Sequence, residues 1–215
     1  MSNFEYIIAS LPFLTADYRY EDGRGWESVI GEIKDNLSEK DTEVLDFLLD
    51  GFKADTLTPD FYAKALSHPS KFVREYFRFD LNLRNAKVHY LNNALGRSAE
   101  QDIMDGKGAE DEDGLDIDLY RFRGGEFEQA AKVDNALSLP SLLDREQALD
   151  DITWETVDSL GTFHYFDLTA VLVYVAKLHI ADRWLALDKE RGMEKFQKLV
   201  REVRGTFKGV EYKEK

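Results

Sequence analysis

The chain has no cysteine, which removes disulfides, thiolate catalysis and cysteine-based metal sites together. Proline is scarce, at 4 in 215 residues, so few positions forbid a helix. No apolar run reaches membrane length. The longest, Leu168 to Ala176, is about half of the ~20 residues a spanning helix needs. The opening MSNFEYIIASLPFL has no basic segment and carries Glu5, unlike a signal peptide. Basic charge is in deficit: 28 Lys and Arg face 42 Asp and Glu, for a net charge of −14. A field of that sign repels phosphate backbones and anionic lipid, arguing against nucleic acid as a partner and against direct membrane insertion. The Lys- and Arg-rich C-terminal helix is the one basic stretch. These absences lead to the expectation of a soluble, cytoplasmic chain.

Catalytic and cofactor motifs are missing too. Gly23-x-Gly25-x-x-Ser28 and Gly106-x-Gly108-x-x-Asp111 lack the third glycine of a dinucleotide fingerprint, and neither follows a strand pattern. The acidic run around Gly114 has Ala109 and Tyr120 where a calcium loop needs Asp and Glu. Helical di-metal sites use Glu-x-x-His, but Ala86 and Ala176 stand three residues before His89 and His179. No serine lies in a nucleophile elbow. The sequence therefore names no catalytic, cofactor-binding or metal-ligating residue.

What is present is enough apolar mass for a core. Hydrophobic residues make up 43 %, with 14 Phe, 10 Tyr and 3 Trp. A chain of this length buries roughly 70 % of its unfolded surface. The organising stretch is Ser70 to Gly96. Phe72, Tyr76, Phe79, Leu83, Ala86 and Tyr90 alternate at spacings of four and three, which gathers them on one helical face. Val73, Phe77, Val88, Leu91 and Leu95 form a second apolar row, so this helix is expected to be packed on two sides.

Around it the pattern is helical throughout, and no segment alternates as a strand does. Phe4–Ser10 is short and balanced between the two, with helix favoured by its surroundings. Helical spacing covers Trp26 to Asn36. Ser38 with Asp41 resembles a capping box, and Thr58–Pro59 is an N-cap followed by an N1 proline. Further helices are expected after Glu126, from Leu142 past Trp154, from Asp167 to about Leu187, and over Met193 to Val203. The predicted fold is all-α, a multi-helix bundle-like domain around two central buried helices, at about 71–95 and 167–187 and adjacent to each other. A single domain is expected over 1–215, with 1–96 and 126–215 as candidate lobes. The acidic, glycine-rich stretch 97–125 reads as a mobile loop, because its like charges repel.

Polar residues in the middle of the two central helices are the candidate partner-binding set: Asn82, Arg84, Asn85, His179, Asp182 and Arg183. Buried polar groups must find partners. Asn82, Arg84 and Asn85 either bridge to loop carbonyls within the fold or present Arg84 to another protein. His179 and Asp182, at i, i+3, can pair on one helical face.

Several stretches carry a resemblance: Tyr6-Ile7-Ile8-Ala9-Ser10-Leu11-Pro12, Phe79-Asp80-Leu81-Asn82-Leu83-Arg84-Asn85, and above all Leu142 to Val200. The last includes Asp150-Asp151-Ile152-Thr153-Trp154 and FHYFDLTAVLVYVAKLHIADRWLALDKERG. They are similar to a bacterial family, domain of unknown function 2764, across most of the chain and least from Gly96 to Gly125. Genes of that family lie among those for the components of a V-type ATPase. The family also looks distantly like the C-type component of those rotary enzymes (d-type in eukaryotes), an all-helical funnel that seats the central stalk on the membrane rotor ring. Aligning Leu83-Arg84 with Asp182-Arg183 also superposes Tyr76 on Val175 and Val88 on Leu187, an internal repeat of the kind the funnel shows. The resemblance implies a non-catalytic component that uses no cofactor. It would bind central-stalk proteins or the rotor ring at the cytoplasmic face of the inner membrane. Transient assembly or regulatory factor of that ATPase is the alternative, ahead of a small-molecule-binding protein or enzyme.

Overall fold

Helix starts are set by short polar side chains that accept the first unpaired backbone N–H groups. Ser38 accepts from Asp41, Thr58 from Phe61, Ser70 from Val73, Ser141 from Asp144 and Asp167 from Ala170. Each such cap stabilises by ~1 kcal/mol. The computed structural model describes residues 2–18, 24–98, 101–104 and 127–187. These form eight α-helices and no strand. They are α1 (Phe4–Ser10), α2 (Trp26–Asn36), α3 (Glu39–Asp50), α4 (Pro59–Leu66), α5 (Lys71–Ala94), α6 (Ala130–Leu137), α7 (Leu142–Leu160) and α8 (Leu168–Leu185). A single 3-10 turn, Ala54–Thr56, links α3 to α4. The fold is all-α, as the sequence predicts.

The organising helix is α5. It ends in a Schellman motif: Gly96, at φ 65°, donates to Asn93, and Arg97 donates to Asn92 at 2.9 Å. Its first half enters the largest core with Phe72, Val73, Tyr76, Phe77 and Leu81, beside side chains from α1 to α4 and the stretch Val171–Leu178 of α8. Phe77 is fully buried and meets Phe47 and Phe61 edge-on. The chain passes so close here that a Cβ on Gly51 would fall 2.1 Å from the Phe77 ring, so only glycine fits. The second half of α5 joins a smaller core, where Phe79, Leu83 and Ala86 meet α6 and the middle of α7. A third cluster gathers Tyr18, Trp154, Ile180 and Ala181.

Three expectations need correction. The second apolar row does not run the length of α5, because Leu91 and Leu95 are exposed. Asn92 is buried there instead, and its side-chain amide donates to the Gln101 carbonyl at 2.6 Å. The two central helices share a core through side chains, but α5 lies chiefly against α4, α6 and α7, while α8 lies against α1, α2, α3 and α7. The beginning of the expected mobile loop is tied down. Asn85 donates to the Met104 carbonyl at 2.9 Å and accepts from its N–H at 3.0 Å. The acidic run 110–118 and the stripe Met193 to Val203 lie outside the described residues.

Candidate functional site

The turn pattern of α5 puts Asp80, Arg84 and Lys87 at i, i+4 and i+7, on one face. That face closes a polar cavity of ≈ 210 Å³ with Asp150 and Thr153 of α7 and His179, Ile180 and Arg183 of α8. Tyr76, Leu83 and Leu149 complete its walls, with Gly51 and Phe52 just past α3.

Two carboxylates are built alike within it. Asp80 Oδ2 accepts from Arg84 Nε at 2.7 Å and from the Tyr62 hydroxyl at 2.5 Å. Asp150 Oδ2 accepts from Arg183 Nη2 and from Trp184 Nε1, the latter at 2.6 Å. Each acid thus holds one guanidinium and one aromatic donor, which meets the demand a buried carboxylate makes for partners. Burial pushes the Asp150 carboxyl above its ordinary range, and Arg183 and the Trp184 indole oppose that rise. Burial also works against the Arg84 charge, but Asp80 outweighs it and raises the guanidinium pKa. The Tyr62 and Tyr76 phenols are pushed up by burial first and the Asp80 charge second, so both remain hydrogen-bond donors.

His179 is held by rings. It stacks on Phe52 with centroids 4.1 Å apart and meets Trp26 edge-on at 5.7 Å. Burial, with a smaller contribution from Arg183, lowers its pKa to about 4, so it is neutral at physiological pH. No hydrogen bond or ion pair joins it to Asp182 among the described residues, which corrects the expected pairing. The ring faces Phe52 and Trp26, and burial alone raises the Asp182 carboxyl.

Of the six candidates, the structure brings Arg84, His179 and Arg183 together at this cavity. It buries Asn82 and Asn85 rather than displaying them, so neither is a surface for a partner. Asn85 has the loop-bridging role, and Asn82 Oδ1 is buried without a partner among the described residues. Asp80, Lys87 and Asp150 line the cavity but are not among the six candidates. The i, i+4 spacing of Asp80 and Arg84 is the signal that could have flagged the first pair. Nothing local links Asp150 to Arg183, 33 residues away.

At the other end of α8 lies a different surface. Phe163, Tyr165 and Phe166, in the turn between α7 and α8, are exposed, as is Phe13 after α1; Phe163 is 84 % exposed and Phe13 82 %. Phe13 and Tyr165 line an apolar groove of ≈ 410 Å³ between that turn and residues 8–14, and Phe163 and Phe166 stand in the same turn. The turn is held in shape: His164 Nδ1 lies 2.5 Å from Asp167 Oδ2, while the other Asp167 oxygen caps α8. Phe163 sits at φ 70°, a left-handed conformation that costs a non-glycine residue ~1–2 kcal/mol. Across the groove, the Tyr174 hydroxyl donates to the Pro12 carbonyl at 2.8 Å.

Among the described residues, no helix is long and apolar enough to cross a membrane, and no group of three or more His, Asp or Glu is placed to hold a metal ion. No curated protein and no solved structure matches the chain. A family model described as a protein of unknown function (DUF2764) matches residues 52–206, which takes in the cavity from Phe52 onward and the turn carrying Phe163. That match covers well over half of the sequence, and the chain belongs to the DUF2764 family.

Proposed function

We propose that the protein is a non-catalytic helical component of a V-type ATPase, in the position of the C-type funnel, and that it docks on the central stalk through the aromatic edge at the start of α8. The observation that carries the docking role is that edge. Exposed aromatic rings on a braced, strained turn beside an apolar groove resemble the anchors that dominate protein interfaces. An apolar edge of this kind suits a protein surface that stays assembled better than it suits the water-facing loops of a rotor ring. The ATPase itself enters through the resemblance of the sequence to a family encoded among its components. In this reading the protein lies at the cytoplasmic face of the membrane, held there through the complex. The net charge of −14 keeps it soluble before assembly and steers encounter with basic partner surfaces, so docking slows at high salt.

Purification of a tagged chain from membranes of its native host tests this. Stalk proteins should co-purify with it, in stoichiometric amount for a permanent component and substoichiometric for a transient assembly factor. A chain that never travels with the complex, and whose deletion leaves assembly and proton pumping intact, contradicts the proposal.

A further inference from the structure

We infer that the cavity between α5, α7 and α8 binds a compact phosphate-class oxyanion, a function separate from docking at the aromatic edge. The charge of the cavity suits an anion. On a chain of net charge −14, the cavity is lined by three cations, Arg84, Lys87 and Arg183, against two carboxylates, Asp80 and Asp150, a local excess of one positive charge. His179 adds no charge at neutral pH.

The cavity also has donors to spare. Arg84 uses Nε on Asp80, and Arg183 uses Nη2 on Asp150. Neither Arg84 Nη1 and Nη2 nor Arg183 Nε and Nη1 has a hydrogen bond among the described residues. Lys87 reaches Glu146 only at 3.5 Å. The Tyr76 hydroxyl, which has no hydrogen-bond partner among the described residues, adds a further donor at the wall. Guanidinium groups fixed along one edge and open along another form the arrangement that recognises phosphate and carboxylate. The two aspartates already accept from Tyr62 and Trp184, so they serve as scaffolds that orient the arginines.

Size and access fit a small anion. About 210 Å³ is below the ~300 Å³ at which sites for drug-sized ligands begin, so a whole nucleotide does not fit. The Arg84 and Arg183 side chains are each partly solvent-accessible, which gives an anion a way in. Inorganic phosphate satisfies these limits. So does the terminal phosphate of a monoester whose remainder stays outside the mouth.

Titration of the full chain with inorganic phosphate, by calorimetry and by thermal melting at constant ionic strength, tests the inference, with glycerol phosphate as a second arm. Saturable binding of either probe is expected, together with a rise in Tm that equimolar ionic strength from chloride does not reproduce. Tighter binding of the monoester assigns the esterified source, and tighter binding of inorganic phosphate assigns the free ion. Arg84→Gln should weaken binding by at least ~10-fold, as the loss of a charged hydrogen bond implies. Lys87→Gln, whose ion pair is too long to matter for folding, should weaken it with an unchanged unliganded Tm. Absence of saturable binding by both probes overturns the inference, as does equal binding by wild type and the Lys87→Gln and Arg84→Gln variants.

Discussion

The two ends of α8 face opposite kinds of surface. At its start, apolar rings stand in solvent around a groove, and none of the described residues covers them. At its end, polar groups turn inward, and each carboxylate is paired with an arginine and an aromatic donor. Between the two ends, Val171, Leu172, Val175 and Ala176 are sealed in the core. Burial rewards apolar groups that are covered and polar groups that are paired. The aromatic edge meets neither condition by itself, which suits completion by another molecule. The cavity nearly completes itself, and the outer edges of its cations and the Tyr76 hydroxyl remain unused.

The largest effect should come from the sealed stretch between these ends. Leu172→Ala is expected to destabilise by ~2–5 kcal/mol in urea unfolding, the range for truncating a buried leucine. A loss under ~1 kcal/mol would mean that the middle of α8 is open, and the contrast between its ends would lose its hinge. The next effect concerns His179 and pH. Its folded pKa of about 4 lies below the ordinary 6.5, so between those values the unfolded chain holds a proton the folded chain does not. Stability from this group is therefore complete above pH ~6.5 and lost as pH falls toward 4, by up to ~3 kcal/mol. His179→Phe keeps the stack on Phe52 and should remove that loss. Asp150 and Asp182, with raised pKa values, pull the other way, so the informative quantity is wild type minus His179→Phe across this window. An unchanged difference between pH 7 and 4.5 would show that the ring is solvated.

A smaller effect is expected at the polar end. Asp150→Ala strips the partner from Arg183 and from the Trp184 indole and should cost ~1–3 kcal/mol. The half-exposed Arg183 can turn to water, which keeps the loss well below that of a fully buried pair. The smallest effect on stability is expected at the aromatic end. Phe163→Gly removes an exposed ring and relieves the positive φ, so the melting temperature should hold within a degree or two or rise. A marked fall would show that the ring packs within the fold and is no docking anchor.

Much of this contrast is hidden in the sequence, for physical reasons. The helices are legible because caps are local: Ser38, Thr58, Ser70 and Asp167 each act within three residues of themselves. Their burial is legible only where both faces are apolar. Leu91 and Leu95 have the spacing of core residues, but nothing local says whether a neighbour reaches them. The run Phe163-His164-Tyr165-Phe166 has the same ambiguity, since four aromatic residues read as core until their exposure is known. Arg84 and Arg183 stand out from an alignment of two helices, and they do reach one cavity. Of their acids, Asp80 is readable at i, i+4 from Arg84, but Asp150 is not, because its pair with Arg183 depends on how α7 crosses α8.

The most direct test compares three tagged chains expressed in the native host: wild type, Phe163→Ser with Phe166→Ser, and Lys87→Gln. Each is purified from membranes, and the co-purifying ATPase proteins are quantified. The account predicts that wild type and Lys87→Gln bring down the stalk proteins equally. It predicts that the edge variant, with an unchanged helical circular dichroism spectrum and melting temperature, loses at least ~10-fold of them, as removal of interface anchors does. Failure of the wild-type chain to bring down the ATPase, or full retention by the edge variant, would contradict it.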